Sequence, residues 1–156
     1  MSHADTQANW GLPDPDSQQA FYADVPSKRF FAWLIDIILI TLLTLLTLPL
    51  TLFIGLFFLP LLFATLSFMY RVIALTNRSA TPGMRLMAIE FRTARGERMD
   101  LGSAFMHTLC YFVSMAVFPL QLISIVLMLT TARAQGLTDH LMGTAAINRA
   151  AEERRF

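Results

Sequence analysis

The chain has 156 residues, of which 55% are hydrophobic and only 15% are charged, and its mean hydropathy is +0.54. A soluble domain carries about 25% charged residues, so a soluble chain of this size would have too little polar surface to cover its core. The formal net charge is +1 and no block of like charge dominates, which argues against a nucleic-acid partner. The composition predicts a protein that has the lipid bilayer as its partner.

The first 28 residues predict an acidic, disordered cytoplasmic tail. No basic start precedes the apolar run, which begins only after residue 29, so a signal peptide is not expected. As an alternative, apolar side chains within the tail could dock on another surface. These side chains are Phe21, Tyr22 and Val25. The prediction of a disordered tail depends on the prolines that interrupt a helix, Pro13, Pro15 and Pro26. Its acidic character comes from Asp5, Asp14, Asp16 and Asp24.

The first long apolar tract predicts a helical hairpin. From Phe30 to Met69 the only ionisable residue is Asp36. One helix of this length would measure about 60 Å, twice the ~30 Å hydrocarbon core of a bilayer. Because Pro49 disfavours helix, we expect helix 1 at about 30–48 and helix 2 at about 53–75, with a short uncharged connection.

The middle segment, residues 76–100, predicts a short cytoplasmic loop. The alternation from Arg85 to Arg92 is typical of a strand or an interfacial segment. A hairpin turn is plausible at residues 93–97, and Asp100 is placed to cap a helix that starts at Leu101. The basic residues beside the hairpin put both of its ends in the cytoplasm: Lys28, Arg29, Arg71, Arg78, Arg85, Arg92, Arg95 and Arg98.

The third apolar stretch, about 102–131, is either one tilted span kinked at Pro119 or two short helices that meet there. The positive-inside rule favours two helices, because one span would leave four arginines outside. The predicted fold is an all-α membrane protein with three to four transmembrane segments: a helical hairpin and a third apolar stretch broken near Pro119. Its membrane domain covers residues 29–149 and is followed by a charged C-terminal tail, residues 150–156. The four arginines are Arg133, Arg149, Arg154 and Arg155.

Asp36 is the most unusual polar residue of the hairpin. It lies roughly 10 Å from Arg29 along helix 1, and Arg29, Trp33 and Asp36 share one face. One interpretation is structural, with Asp36 hydrogen-bonded to a neighbouring helix. The other is an ion or proton site, because an acid at such depth usually faces a partner or a water-filled cavity. The threonines at helical spacing favour packing and bonds to the helix's own carbonyls: Thr41, Thr44, Thr47 and Thr51.

No constellation typical of an enzyme, a metal site or a cofactor site is present in the sequence. The single Cys110 lies in an apolar run and allows neither an intramolecular disulfide nor a thiolate metal cluster. His3, His107 and His140 lie in three separate segments without the spacing of metal ligands, and His107 has an apolar surround. We therefore expect no catalytic, cofactor-binding or metal-binding residues.

The C-terminal segment places a second acid at the cytoplasmic interface. Gly136 is expected to end a helix, and Thr138 or Asp139 to cap a new turn. This position would bring Asp139 close to the level of Arg29, so an ion pair between them is a hypothesis. If it forms, reversing both charges should restore the folding that either single reversal removes.

These residues resemble the RDD family, which is named for an Arg that opens the first membrane helix, an Asp inside that helix and a later Asp. Here they are Arg29, Asp36 and Asp139. The segments Thr81–Leu86 and Gly136–Thr144 are also similar to family motifs, and the resemblance spans about residues 28–149. Met84 departs from the pattern, in which a Lys often stands there. So does Thr138, where a His often precedes the Asp.

The resemblance implies a multi-pass protein of the bacterial inner (plasma) membrane, for which transport of an unidentified small ligand or ion is suggested. In that function Asp36 would bind the cation, Arg29 would tune its ionisation and Asp139 would gate the cytoplasmic mouth. Because four short segments enclose little space, we expect a homo-oligomer. The alternative is a non-enzymatic accessory or assembly subunit of a larger membrane complex.

Overall fold

A computed structural model describes residues 11–153 of the chain. The predicted tail residues 1–10 and the last three residues lie outside this range. Within it, seven α-helices and two short strands follow one another. They are α1 (Val25–Leu50), α2 (Leu59–Arg78), α3 (Pro82–Leu86), β1 (Ile89–Arg92), α4 (Leu101–Ala116), α5 (Phe118–Thr130), α6 (Leu137–Met142), β2 (Ala145–Asn148) and α7 (Arg149–Glu153).

Helices α1 and α2 form the predicted hairpin, and both are long and apolar enough to cross a membrane. The 26 residues of α1 extend about 39 Å at 1.5 Å per residue. Pro49 lies in the last turn of α1 rather than after it, and a 3-10 turn at Ile54–Phe58 leads into α2. Large apolar side chains around the tip, such as Leu50 and Phe57, are exposed, as lipid-facing residues would be.

The threonines of α1 bond to its own backbone. The hydroxyls of Thr44, Thr47 and Thr51 donate to carbonyl oxygens three or four residues earlier, at 2.8, 2.7 and 2.9 Å. For these three of the four threonines, this confirms the interpretation that the hydroxyls bond to backbone carbonyls of their own helix.

The third apolar stretch is broken, as predicted. Asp100 caps α4 by accepting a hydrogen bond from the backbone N–H of Ser103 at 2.9 Å, and the break falls at Val117. Helices α4 and α5 meet there at 115°. With 16 and 13 residues they are about 24 and 20 Å long, each shorter than the ~30 Å hydrocarbon core. The described residues thus provide two spanning helices, or three if the bent pair counts as one span.

A small antiparallel sheet closes the polar end of the helices. Ile89 of β1 lies opposite Asn148 of β2, and Arg92 opposite Ala145. The predicted β-like loop is therefore a strand, and the fold is not purely helical. The N–H of Thr93 does donate to the carbonyl of Glu97, but this turn leads into no second strand, so the hairpin expected there is wrong. The partner strand comes from the far end of the chain instead.

Residues 11–28 are folded against this sheet, which corrects the prediction of a disordered tail for that part of the segment. Phe21 and Tyr22 are buried together with Ile147 of β2 and Ala151 of α7. The side chain of Asn148 donates to two backbone carbonyls of the segment at 2.8 and 2.9 Å. Apolar side chains between the aspartates thus supply the contact surface, just before α1 begins at Val25.

Candidate functional site

Asp139 lies at the centre of a buried polar site beneath the sheet. It is the third residue of α6, and its side chain is fully buried. The guanidinium of Arg29, in the second turn of α1, forms an ion pair with Oδ2, which confirms the hypothesis drawn from the sequence. Gly136 is the N-cap of α6 rather than the end of the preceding helix, and its N–H donates to Oδ2 at 2.9 Å. The carboxylate thus fastens α6 to α1.

The other oxygen of the carboxylate binds α4. Nε2 of His107 lies 2.9 Å from Oδ1 of Asp139, and the hydroxyl of Thr144 donates to the same atom at 3.1 Å. His107 is only 1% exposed. The expectation that it has an apolar surround was wrong, because its polar partner lies in a distant segment. The signal in the sequence was the histidine itself, since an ionisable group in an apolar helix rarely stands without a partner.

Asp139 remains ionised at this site. Burial alone would raise the pKa of its carboxyl group, but the charge of Arg29 and the hydrogen bond to His107 outweigh burial and hold the pKa well below its ordinary value of 3.8. An ionised carboxylate only accepts, so Nε2 of His107 carries the hydrogen and Nδ1 is left as an acceptor. Nδ1 is buried without a hydrogen-bond partner among the described residues.

Asp36 belongs to a second polar group, in which it connects α1 to α2 and α3. Its carboxylate accepts hydrogen bonds from the hydroxyls of Tyr70 and Thr81 at 2.7 and 2.5 Å, and from the N–H of Gly83 at 2.8 Å. A Cβ atom at Gly83 would lie 2.2 Å from the carbonyl oxygen of Ala32, so only glycine allows this approach of α3. These contacts confirm the expected hydrogen bond to a neighbouring helix. The ion-site interpretation of Asp36 stays a hypothesis.

Arg71 is a buried cation without a carboxylate. Its charge was expected to mark the cytoplasmic end of the hairpin, but it lies inside α2 and is only 8% exposed. Its guanidinium carbon lies 3.9 Å from the centroid of the Tyr111 ring, whose hydroxyl accepts a hydrogen bond from Trp33 at 3.1 Å. Among the described residues it forms no ion pair, and its Nε has no hydrogen-bond partner. The aromatic face is therefore its main compensation.

The two acids and two cations of these polar groups do not all form ion pairs. Arg29 and Asp139 neutralise each other, whereas Asp36 is held by neutral donors and Arg71 by an aromatic ring. In the part of the chain that the structure describes, no group of three or more metal-ligating side chains occurs. The helix bundle therefore contains an acid and a cation, Asp36 and Arg71, that form no ion pair among the described residues. It also contains a ring nitrogen, Nδ1 of His107, that has no hydrogen-bond partner among them.

Comparison with family sequence models identifies one family. The RDD family model matches residues 24–143, which include Arg29, Asp36 and Asp139. No curated protein and no solved structure matches the chain. The matched region covers most of the chain and contains both of the apolar helices that are long enough to span a bilayer. The chain is therefore a helical membrane protein that belongs to the RDD family.

Proposed function

We propose that the protein transports a small ion or ligand across the membrane, with His107 as the group that takes up and releases a proton. The observation that carries the proposal is Nδ1 of His107, a buried acceptor with no partner among the described residues. Ionisable groups among membrane helices commonly mark ion or proton pathways. His107 is the only member of the site whose ordinary pKa falls in the physiological range.

Of the neighbouring charges, Asp139 favours protonation of His107, whereas the cations Arg29 and Arg71 oppose it. Asp139 is ionised and lies 2.9 Å from Nε2, so it would stabilise an imidazolium once Nδ1 has accepted a proton. Arg29 holds Asp139 in place through the ion pair. Arg71 on α2, which is held by an aromatic ring and not by a carboxylate, would provide a contact for an anionic ligand once it is released from Tyr111.

An oligomer fits this function better than a single copy. Helices α4 and α5 are each too short to cross the hydrocarbon core, and the apolar faces of the α1–α2 hairpin are exposed. Several copies would place these faces against lipid and against one another.

We also propose that the protein lies in a bacterial inner membrane with both ends in the cytoplasm, because its charged loops gather at one end of the helices and the residues from 43 to 60 carry no charge.

Flux measurements on purified protein in proteoliposomes test the transport proposal. A Na⁺ or K⁺ gradient is imposed and proton movement is followed with an internal pH-sensitive dye. We expect His107→Gln to reduce the flux by at least about tenfold, because its amide still donates to Asp139 but does not titrate. His140→Gln is the matched control, since His140 is exposed and its Nδ1 contacts only the carbonyl of Gly136. Equal flux in wild type and His107→Gln would contradict the proposal.

The accessory-subunit function is the alternative, and the exposed apolar hairpin favours it. A surface of this kind serves lipid contact and helix packing with another membrane protein equally well. Gentle solubilisation of native membranes followed by co-purification separates the two functions. A stoichiometric heteromeric partner supports the accessory function, and a homo-oligomer alone supports transport.

A further inference from the structure

A small arginine-lined cavity lies at the polar end of the molecule, where α2 leaves the apolar region. Its volume is about 60 Å³. One water molecule needs about 10–15 Å³ of such space, so the cavity holds a small oxyanion but not a nucleotide. Segments far apart in the chain contribute to its wall: Arg78, Ala80, Arg85, Glu90, Arg98 and Arg149.

The charges in this cavity are unbalanced. Glu90 is the one acidic residue in the lining, and it already forms an ion pair with Arg92, while its Oε2 lies 3.9 Å from Nε of Arg149. The remaining lining arginines, Arg78, Arg85 and Arg98, are exposed, and none of them forms an ion pair with a described side chain. Like charges held around one cavity repel one another unless an anion lies between them.

We propose that this cavity binds a phosphate group. Guanidinium groups hold phosphate oxygens with paired, charge-assisted hydrogen bonds, and three that form no ion pair with a described side chain line this cavity, where the one carboxylate, Glu90, already pairs with Arg92. Arg78 is the last residue of Ile54–Arg78, which is long and apolar enough to span a membrane, so a bilayer crossed by this segment would have its headgroups near the cavity. Basic pockets at this depth on the cytoplasmic side are suited to the phosphodiester of an anionic lipid, and the same chemistry accepts free phosphate.

This site is separate from the Asp139 centre and does not depend on the transport proposal. None of the cavity residues contacts Arg29, His107 or Asp139 through a hydrogen bond or ion pair. The cavity joins the end of α2, the end of α3 and the segment before α4. A bound phosphate would hold these elements together, and we expect it to stabilise the fold by mass action.

Binding is tested on the purified full-length protein in a neutral detergent. The probes are phosphatidylglycerol, phosphatidylcholine as a zwitterionic reference, and inorganic phosphate. Retained lipid is measured by native mass spectrometry and stabilisation by thermal unfolding. The test variants are Arg98→Gln and the double variant Arg85→Gln with Arg98→Gln. The control is Arg95→Gln, which removes one positive charge, as Arg98→Gln does, but from the exposed turn outside the cavity.

We expect phosphatidylglycerol to be retained and phosphatidylcholine to be lost. The double variant should bind about tenfold more weakly or worse, and Arg95→Gln should stay close to wild type. If inorganic phosphate raises the Tm and displaces the lipid, the ligand is free phosphate. If inorganic phosphate neither raises the Tm nor displaces the lipid, the ligand is the lipid headgroup. The phosphate site is overturned if neither probe binds, or if Arg95→Gln weakens binding as much as the double variant. Should the double variant fail to fold, Arg98→Gln alone serves, because that side chain is exposed on a loop.

Discussion

Nε2 of His107 and Oδ1 of Asp139 lie 2.9 Å apart, although the two residues are 32 positions apart in the chain. The other oxygen of the same carboxylate is bound by Arg29. One buried side chain therefore connects α1, α4 and α6. Because Arg29 and His107 come from helices that are distant in the chain, the stability of the polar end depends on this residue.

We expect Asp139→Ala to destabilise the protein by about 3–5 kcal/mol, because it leaves Arg29 and His107 without their buried acceptor. Urea unfolding in a constant detergent background measures the free energy. The control is Asp16→Ala, whose side chain is exposed, and it should change stability by no more than about 0.5 kcal/mol. A similar loss in both variants would show that Asp139 has no special role.

Exchanging the charges of the ion pair should not restore stability, contrary to the expectation from sequence. In Arg29→Asp with Asp139→Arg, the guanidinium at 139 has no acceptor atoms, yet Gly136, Thr144 and His107 still direct hydrogen bonds there. The double variant should be at least as unstable as Asp139→Arg. Recovery to within about 1 kcal/mol of wild type would mean that the ion pair alone matters.

Acid should weaken the wild type more steeply than Asp139→Asn. The pKa of Asp139 is lowered on folding, so below its ordinary value of 3.8 the unfolded chain binds a proton that the folded chain does not. This contribution is present above that pH and is lost as pH falls towards the lowered pKa, at about 1.4 kcal/mol per pH unit. Asp14 and Asp100, whose pKa values are lowered by hydrogen bonds, contribute equally to both proteins. Parallel stability curves in acid would contradict the assignment.

Gly83→Ala should destabilise the corner between α1 and α3 by about 1–3 kcal/mol, because the new methyl group would lie 2.2 Å from the carbonyl oxygen of Ala32. Gly102→Ala is the matched control. Its Cβ would meet only the Asp100 carboxylate at 3.9 Å, and alanine favours the helix by up to about 1 kcal/mol. Thermal unfolding should therefore shift in opposite directions for the two variants.

Single cysteines in a Cys110→Ala background test the topology. Glu97→Cys and Ala150→Cys lie at the arginine-rich end, and Leu52→Cys lies at the tip of the hairpin. An impermeant maleimide added to sealed right-side-out vesicles should label only Leu52→Cys if the arginine-rich end faces the cytoplasm. Labelling of Ala150→Cys but not Glu97→Cys from outside would mean that α4 and α5 together cross the membrane once.

Local signals in the sequence predicted the hairpin, the cap at Asp100 and the break near Pro119. Each depends on neighbouring residues: the length of an apolar run, a carboxylate one turn before an N–H, and a proline at the start of a helix. The arginine distribution added the hypothesis that Arg29 meets Asp139, because it brought both to one side of the bilayer.

The other non-local pairings escaped prediction. Nothing beside Ile89 or Asn148 indicates that their strands pair, and a strand of only four residues has too short a pattern to be told from a helix turn. His107 was set aside for the same reason, since its acceptor lies in α6. The packing of residues 11–28 also depends on a distant surface, formed by β2 and α7. Arg71 lies within the predicted helix 2, but its contact with the Tyr111 ring of α4 was not predicted, because the two residues are 40 positions apart.

The pairing of β1 with β2 also imposes an order on biosynthesis. Arg29, His107 and β1 all obtain their partners from residues 137–148, which leave the ribosome after every apolar helix has been made. The hairpin and the bent pair must therefore enter the bilayer with Arg29 and His107 still lacking their acceptor. The polar end closes only in a chain translated as far as Asn148, so a prematurely terminated product keeps an open, charged end that distinguishes it from the finished protein.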